Sequence, residues 1–441
     1  MPVEMNIKWD AYLDAVDRCT SLTLEGRIVK VIGLIAEGEG LGLSIGSMCL
    51  VETDQGTEIR AEVVGFKDGR ILLMPYGDTR GIKPGSRIRF LNRSPQVYVG
   101  DGFLGRVING MGEPIDGKGE ISANRQYPLY GSVINPMERR PIREVMDVGI
   151  GAINTMLPLG RGQRVAIMSG SGVGKSILMS MMTRHTAADV TVIGLVGERG
   201  REVKEFVQEN LGPEGMKKAV VVAATSDSPP LIRMRGAYLA TTLAEYFRDN
   251  GKDVLLIIDS ITRFAMSSRD VGLAAGEPPT SRGYTPSFFA QIPVLLERAG
   301  SVQGKGSITG IYTVLVEGDD LNDPVGDTVR SIVDGHIVLS RKLANRGHYP
   351  AIDVLESVSR VCRDVVEADH IQLRDKVIDM LSTYRDVEDM ITIGAYTDGT
   401  DPRVDQAKQL IPKILDFFRQ DIDHRVPYDQ GLSSLKALYQ E

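Results

Sequence analysis

The sequence predicts an α/β protein in three parts: a small β-barrel, a core built on a mostly parallel sheet, and a helical carboxyl-terminal domain. Three observations carry this prediction. Short strand-like runs with turn signals fill residues 20–94, longer apolar runs alternate with helical patterns over 95–363, and apolar residues recur at helical spacing over 364–441. A chain of 441 residues is long enough for such a multidomain protein.

The amino-terminal part predicts a helical arm and then the barrel. Residues 1–19 place four apolar side chains on one helical face, namely Trp9, Tyr12, Leu13 and Val16. Further on, the strand-like runs 61–66 and 71–76 flank Asp68-Gly69, a dipeptide typical of hairpin turns. Several short strands at this spacing predict a small barrel.

The core is predicted from continuous apolar runs separated by helical patterns. Such runs are typical of parallel strands that are covered on both faces. They span residues 163–168, 190–196, 219–224, 254–258, 308–316 and 336–339. Beyond residue 364, two helical stripes are interpreted as the core of a small bundle: Val377, Leu381, Tyr384 and Ile391, then Leu410, Ile414, Leu415, Phe418 and Ile422.

Composition excludes several classes of protein. There are 51 Lys and Arg against 58 Asp and Glu, a net charge of −7, which argues against a general affinity for nucleic acid. The three cysteines, Cys19, Cys49 and Cys362, are too few and too widely spaced for a disulfide framework or a zinc site. The amino terminus has no apolar signal core and no run is long enough to span a membrane, so we expect a cytosolic protein.

A phosphate-binding loop is the most informative motif. Residues 169–176 read SGSGVGKS, between a strand-like run and a helical one. In that context, backbone N–H groups point at anionic oxygens, the lysine neutralises phosphates and the last serine binds Mg²⁺. The strict pattern begins with glycine, and here Ser169 takes that place. The predicted nucleotide-binding residues are Ser169, Gly170, Ser171, Gly172, Val173, Gly174, Lys175, Ser176 and Ile177.

A second glycine pattern, GxGxxG at residues 100–105, matches the dinucleotide-binding fingerprint on paper. The residues after it predict a strand that enters the Asn109-Gly110 turn, whereas the fingerprint requires the start of a helix. We therefore interpret this motif as structural.

Two carboxylates are predicted to lie beside the phosphate loop because each ends a strand of a parallel sheet. Asp259 follows the run 254–258 and is a candidate for holding Mg²⁺, with a helix N-cap as the alternative. Glu198 follows the run 190–196 and is a candidate for activating water. Its neighbour Arg199 is a candidate for contacting phosphates or bracing Glu198, while Arg201 and Glu202 are interpreted as a solvated helix start.

Five separated motifs in register resemble the catalytic subunits of rotary ATPases and the related type III secretion ATPases. They are residues 169–176, 197–203, 259–264, 276–286 and 357–360. The resemblance covers the whole chain and implies a β-barrel, a RecA-like core and a helical carboxyl-terminal domain. Segments 195–203, 310–320 and 335–340 look most like the flagellar protein-export branch, which also tolerates Ser169 in place of glycine.

The resemblance implies a role for individual residues. Lys175 and Ser176 match the phosphate and Mg²⁺ ligands, Asp259 the carboxylate that holds Mg²⁺ through a water, and Glu198 the catalytic water activator, with Arg199 on the phosphate side. Two further residues are assigned by the resemblance alone: Tyr349 as the aromatic side chain that stacks on adenine, and Arg360 as an arginine finger that acts on the neighbouring subunit's nucleotide.

Because Lys175, Glu198 and Arg360 stand in one chain, identical copies could complete each other's sites, which predicts a homohexameric ring. The resemblance implies an ATPase, with ATP and Mg²⁺, that unloads and unfolds cargo for flagellar type III export at the inner face of the membrane. It also implies partners: a stator-like regulator on the amino-terminal arm, a coiled-coil stalk in the pore, cargo with chaperones, and the membrane export gate.

Three alternatives remain open at this point. The injectisome version of the same ATPase would carry an unchanged site. A nucleotide-binding subunit without hydrolysis is disfavoured by Glu198, which such subunits usually lack. A hexameric RNA-translocating helicase on a similar core is disfavoured by the negative net charge.

Overall fold

The computed structural model describes residues 24–40, 42–316 and 323–438. The chain divides after Pro95 into two compact units. The predicted helical arm at residues 1–19 lies outside the described residues. Within the described ranges, no helix is long and apolar enough to cross a membrane.

The first unit is a closed six-stranded barrel, in which the strands follow the order β1-β2-β5-β4-β3-β6. The strands are β1 (Glu25–Ile32), β2 (Ile35–Glu39), β3 (Met48–Glu52), β4 (Glu58–Lys67), β5 (Arg70–Pro75) and β6 (Arg87–Asn92). Alternate residues fill the interior, among them Ile28, Val51, Val63 and Leu73. The barrel prediction is confirmed.

The predicted hairpin forms between β4 and β5, which pair antiparallel up to Lys67 and Arg70. Asp68 and Gly69 both have positive φ, 50° and 77°, as the tight turn requires. The DG dipeptide therefore sets the register of this pair.

The second unit opens with short elements that lead to the core. Strands β7 (Gln96–Val99) and β9 (Arg125–Pro128) pair with each other, and β8 (Val107–Asn109) joins the edge of the core sheet. The GxGxxG motif forms a short 3₁₀ turn, Asp101–Phe103, that leads into β8 and the Asn109-Gly110 turn. The structural interpretation of this motif is confirmed, since no helix follows it before residue 124.

The core sheet is mostly parallel, in the order β17-β16-β10-β15-β13-β11-β12-β8 with β14 paired to β15. Only β14 and β17 run antiparallel to their neighbours in the described ladder. The strands are β10 (Arg164–Ser169), β11 (Val190–Val196), β12 (Ala219–Ala224), β13 (Asp253–Asp259), β14 (Gly300–Ser301), β15 (Ser307–Leu315), β16 (Gly335–Leu339) and β17 (Ile352–Ser359).

Helices cover both faces of this sheet and complete the chain. They are α1 (Gly151–Met156), α2 (Lys175–His185), α3 (Gly200–Glu205) with the π-helical turn Phe206–Leu211, α4 (Gly212–Met216), α5 (Pro230–Asp249), α6 (Ile261–Ala274), α7 (Pro286–Leu296), α8 (Pro324–Ile332), α9 (Arg341–Asn345), α10 (Cys362–Val365), α11 (Ala368–Thr392), α12 (Pro402–Phe418) and α13 (Tyr428–Ala437). Two further 3₁₀ turns span Pro136–Glu138 and Ser281–Gly283. One apolar cluster packs on each face of the sheet.

The carboxyl-terminal helices share a hydrophobic core with one face of the sheet. Val377 of α11, Ile414 and Phe418 of α12, and Leu435 of α13 are buried in the same cluster as Ile167 of β10. The predicted helical bundle is therefore docked on the core and belongs to the same compact unit.

One residue of the predicted second stripe is placed differently. The helical spacing put Ile422 in the bundle core, but α12 ends at Phe418 and Arg419 is extended, so Ile422 lies in the following loop with 45% of its surface exposed. The prediction was wrong for Ile422 because helical spacing does not reveal where the helix stops.

A buried ion pair ties α5 to the segment that follows α7, and a further hydrogen bond reaches the segment that precedes the core. Arg298 is fully buried and donates from Nε and Nη2 to Glu245 at 2.8 and 2.6 Å. Its remaining donors reach the Leu129 carbonyl at 2.9 Å and the Thr242 hydroxyl at 2.8 Å. The charge is therefore compensated only while every partner is present.

We predict that Glu245→Ala lowers the free energy of unfolding by about 3–5 kcal/mol, because it leaves the Arg298 guanidinium buried without a counter-charge. Guanidinium denaturation followed by circular dichroism measures the change. Glu214→Ala is the matched control, since Glu214 pairs with Lys217 on the exposed surface and should cost about 0.5 kcal/mol or less. Equal stability of the two variants would contradict the prediction.

Candidate active site

The phosphate loop connects β10 to α2, as predicted. Gly172 and Gly174 have φ of 76° and 90°, a left-handed conformation that other residues rarely adopt, and Gly174 directly precedes α2. The amino end of α2 therefore presents free backbone N–H groups to the loop, an arrangement suited to phosphate oxygens. Ser169 is buried at the end of β10, so a small side chain fits where the strict pattern has glycine.

The two predicted carboxylates lie at the same edge of the sheet as the loop. Asp259 ends β13, is 2% exposed, and accepts hydrogen bonds from the Lys175 ammonium and from the Thr313 hydroxyl, the latter at 2.6 Å. Glu198 follows β11, and its Oε1 is 3.9 Å from Lys175 Nζ. Lys175 therefore lies between two carboxylates, each carried by a different strand.

A large cavity of about 1160 Å³ opens onto this edge. The phosphate loop, Glu198 and Arg199 line it together with residues from three other parts of the unit, among them Arg263, Arg341, Gly347, Tyr349, Pro350, Arg419, Gln420, Asp421 and Ile422. A second cavity of about 270 Å³ is lined by Ser176, Glu198 and Asp259. The volume of the large cavity is slightly above the range of about 300–1,000 Å³ that is ordinary for small-molecule sites.

Glu198 is the group whose ionisation is most perturbed at the site. Burial and, after it, the negative charge of Asp259 together raise the pKa of Glu198 from its ordinary 4.5 to about 7, although the charge of Lys175 opposes both. A carboxyl with a pKa near neutrality is suited to accept a proton from water at physiological pH.

The Ser176 hydroxyl and the Asp259 carboxylate suit Mg²⁺ better than a metal ion that is bound by protein side chains alone. Across the described ranges, no group of three or more His, Cys, Asp or Glu side chains is arranged to hold a metal ion. Mg²⁺ typically takes one or two protein oxygens and completes its shell with water and substrate phosphates. The Ser176 hydroxyl and the Asp259 carboxylate supply such oxygens around one cavity.

Tyr349 and Arg199 both border the large cavity. Tyr349 is 46% exposed, and its ring packs against the phosphate loop, where a Cβ atom at Gly174 would lie 3.3 Å from two ring carbons. Arg199 points largely into solvent, and its guanidinium is 3.3 Å from Glu202. The structure thus brings Lys175, Ser176, Glu198, Arg199 and Tyr349 to one cavity. Asp259 lines the smaller cavity, which shares Ser176 and Glu198 with the large one.

Arg360 lies elsewhere. It follows Ser359, which pairs with Gly335 at the start of β16, whereas the end of β16, Leu339, pairs with Ser169 of the loop-bearing strand. The span from Gly335 to Leu339 is about 13 Å at the ordinary rise of a strand. The exposed Arg360 side chain donates instead to the Arg330 carbonyl at 3.3 Å. Arg360 is therefore at the opposite edge of the sheet from its own chain's phosphate loop.

Sequence analysis missed several residues of the site. Thr313 faces Asp259. The sequence feature that could have identified it is a polar residue within the apolar run of β15, near the carboxyl end of the strand. The side chain of Arg263 packs on Gly197, within 2.9 Å of the place of a Cβ atom there. Nothing in the sequence indicates that the loop residues 419–422 line the cavity, because they reach it only through the docking of α12 on the core.

The raised pKa of Glu198 predicts a pH-dependent stability. Because the folded protein holds this proton more tightly than the unfolded chain, the stabilisation from the group is complete below about pH 4.5 and is lost as the pH rises through about 7. We predict that Glu198→Gln is more stable than wild type at pH 8 and similar at pH 4, as measured by thermal unfolding. The exposed Glu214→Gln is the control, and an equal shift in both variants would refute the assignment.

Comparison with known proteins identifies the family. The ATP synthase alpha/beta family matches through its nucleotide-binding domain at residues 149–359 and its beta-barrel domain at 28–92, and the T3SS EscN ATPase C-terminal domain matches at 366–437. These three matches follow the barrel, core and helical order of the structure, so the predicted fold class is confirmed.

Individual proteins are similar over nearly the whole chain. The flagellum-specific ATP synthase of Bacillus subtilis (strain 168) is 48% identical, with 98% of this chain and 99% of the relative covered. The type 3 secretion system ATPase of Xanthomonas euvesicatoria is 45% identical, with 94% and 93% covered. The assembled ATPase EscN of enteropathogenic E. coli, solved with its central stalk EscO, superposes with a TM-score of 0.86 at 40% identity, covering 94% of this chain and 99% of EscN. The chain therefore belongs to the ATP synthase alpha/beta family, and its relatives include both flagellum-specific ATP synthases and a type 3 secretion system ATPase.

Proposed function

We propose that this chain hydrolyses ATP in a homohexameric ring and that the hydrolysis drives flagellar type III protein export. The observation that carries the proposal is the meeting of Lys175, Glu198 and Asp259 at the start of α2. A phosphate-binding helix start, a metal-holding carboxylate and a second carboxylate for water are the parts that phosphoryl transfer to water requires.

Each side chain at this edge has a distinct task in the proposed reaction. Lys175 turns from Asp259 to the terminal phosphates, and Ser176 and Asp259 would hold Mg²⁺, which would offset phosphate charge. Glu198 accepts a proton from the attacking water through its carboxylate. Arg199 lies on the phosphate side of the cavity, and the Tyr349 ring takes the adenine base.

Arg360 completes the site of a neighbouring subunit. Its place at the far edge of the sheet supports action on another copy's nucleotide, because it is separated from its own phosphate loop by the length of the parallel strands. When a residue at one edge of a subunit acts at the opposite edge of the next subunit, the contact is heterologous. Such contacts form a ring when the rotation between neighbouring subunits closes. EscN is described as assembled, which supports a ring of this kind.

The partners follow from the proposed place in export. EscN was solved with a central stalk, EscO, which supports a coiled-coil stalk in the pore of this ring. A stator-like regulator on the amino-terminal arm, cargo with its chaperones, and the export gate are the remaining proposed partners, at the cytoplasmic face of the membrane. The net charge of −7 supports protein partners and no nucleic acid.

An injectisome ATPase is the second candidate, since the Xanthomonas secretion ATPase is 45% identical. Deletion of the gene in its own host separates the two functions. Loss of motility and of flagellin export supports the flagellar function, whereas intact motility with loss of effector secretion supports the alternative.

Glu198→Gln tests the hydrolytic role. We predict that the variant binds ATP with an affinity close to wild type and turns it over about 10²–10⁴-fold more slowly, because the amide cannot accept the proton from water. Phosphate release and calorimetric binding are measured on the same preparation. Gln409→Glu, on the exposed face of α12, is the control for a surface charge change, and a normal kcat in Glu198→Gln would move the catalytic role to another residue.

A mixing experiment tests action between subunits. Lys175→Ala and Arg360→Ala homomers should each be nearly inactive, the latter by about 10³–10⁵-fold. In mixed rings, an intact phosphate loop meets an intact finger at about a quarter of sites if the copies mix at random. Phosphate release should therefore reappear on mixing. Light scattering confirms ring formation, and inactive mixed rings would refute action in trans.

A further inference from the structure

Four exposed apolar side chains lie at one end of the barrel. They are Leu24, Ile45, Phe66 and Leu91, here called the rim patch, and each is 47–63% exposed. Leu24 precedes β1, and Ile45 lies in the loop that enters β3. Phe66 and Leu91 lie near the ends of β4 and β6. Single exposed apolar residues are ordinary on a protein surface, whereas several at one place indicate a binding surface.

Strand pairing holds the members of the rim patch next to one another. The Phe90 N–H donates to the Leu24 carbonyl at 3.1 Å, which joins β6 to the start of β1. The Gly46 N–H donates to the Val63 carbonyl at 2.8 Å, which joins the loop that carries Ile45 to β4. The patch therefore extends over four neighbouring strands in the order β1, β6, β3, β4. They span about 14 Å at the ordinary strand spacing, a distance that a helix of about ten residues covers.

The arm that precedes the barrel has an apolar face of matching size. The arm lies outside the described residues, and its sequence predicts a helical face formed by Trp9, Tyr12, Leu13 and Val16. From Trp9 to Val16 this face is about 11 Å long. The seven residues between Val16 and Leu24 can span about 23–25 Å when they are extended. The apolar face of the arm can therefore reach every part of the rim patch.

Charged side chains beside the two apolar surfaces support the same pairing. At helical spacing, Asp10, Asp14 and Asp17 lie along one flank of the apolar face of the arm. On the barrel, the exposed side chains of Lys67 and Arg93 follow closely after two members of the rim patch. Opposite charges beside two apolar surfaces favour one partner and one orientation.

We propose that the amino-terminal arm docks through its apolar face on the rim patch of its own barrel. The arm is joined to the patch at Leu24, so its effective concentration there exceeds that of a separate protein. Docking removes apolar side chains of both surfaces from water, which stabilises the contact. The contact belongs to the barrel unit and does not depend on the proposed hydrolysis of ATP.

Trp9 reports on this contact because it is the single tryptophan of the chain. A docked indole is shielded from solvent. We therefore expect the acrylamide quenching constant of Trp9 to be about threefold lower in the folded chain than in the chain unfolded in urea. Ile45→Asp places a charge in the rim patch and should weaken docking about tenfold. The quenching constant should then rise close to the value of the unfolded chain.

Ile32→Asp is the matched control, since Ile32 is 55% exposed at the opposite end of β1. That end is about 23 Å from the start of the strand. This variant should keep the wild-type quenching constant. If Ile45→Asp does not fold, as judged by circular dichroism, Leu13→Asp replaces it, because a change in the arm leaves the barrel core intact. The same rise in quenching is expected.

Equal quenching of Trp9 in the folded wild type and in the unfolded chain would overturn the inference. Wild-type quenching in a folded Ile45→Asp variant would overturn it as well. Shielding that disappears on about hundredfold dilution would also overturn it, because that result assigns the rim patch to the arm of a second copy. The fluorescence is measured without nucleotide, so its outcome is independent of the proposed function.

Discussion

The contact of Lys175 with Asp259 and Glu198 depends on one constraint, the common carboxyl edge of a buried parallel sheet. Strands β10, β11 and β13 run in the same direction, so the residues that follow them meet at one edge although they are far apart in the chain. Burial then shapes their chemistry. Asp259 is almost completely enclosed, and the pKa of Glu198 rises to about 7 because water is excluded and a second carboxylate is close.

The same sheet separates the proposed arginine finger from the site that its own chain carries. β17 reverses direction beside β16, which returns the chain to the amino edge, where Arg360 is exposed. A subunit thus presents a phosphate-binding edge and a finger-bearing edge on opposite sides. This geometry is the physical basis of the proposal that hydrolysis depends on a ring of identical copies.

Most of the fold could be predicted because its signals are local. The Asp68-Gly69 turn defines a hairpin, apolar runs define the parallel strands, and the loop 169–176 requires a strand before it and a helix after it. The residues whose positions were predicted wrongly, or not predicted at all, depend on contacts between segments that are distant in sequence. Ile422 was assigned to the bundle core because its spacing continues that of Phe418, whereas the helix stops and the loop folds over the cavity.

The sequence by itself determined the phosphate loop, the strand-ending carboxylates Glu198 and Asp259, and the order of barrel, core and helical domain, because each is encoded in a short stretch of residues. The resemblance to a known family added Tyr349 and Arg360. Only the tertiary structure decided that Thr313 faces Asp259, that the loop after α12 lines the cavity, and that Arg360 lies away from its own site. Those relations arise from the pairing of strands and the docking of helices, which no local pattern specifies.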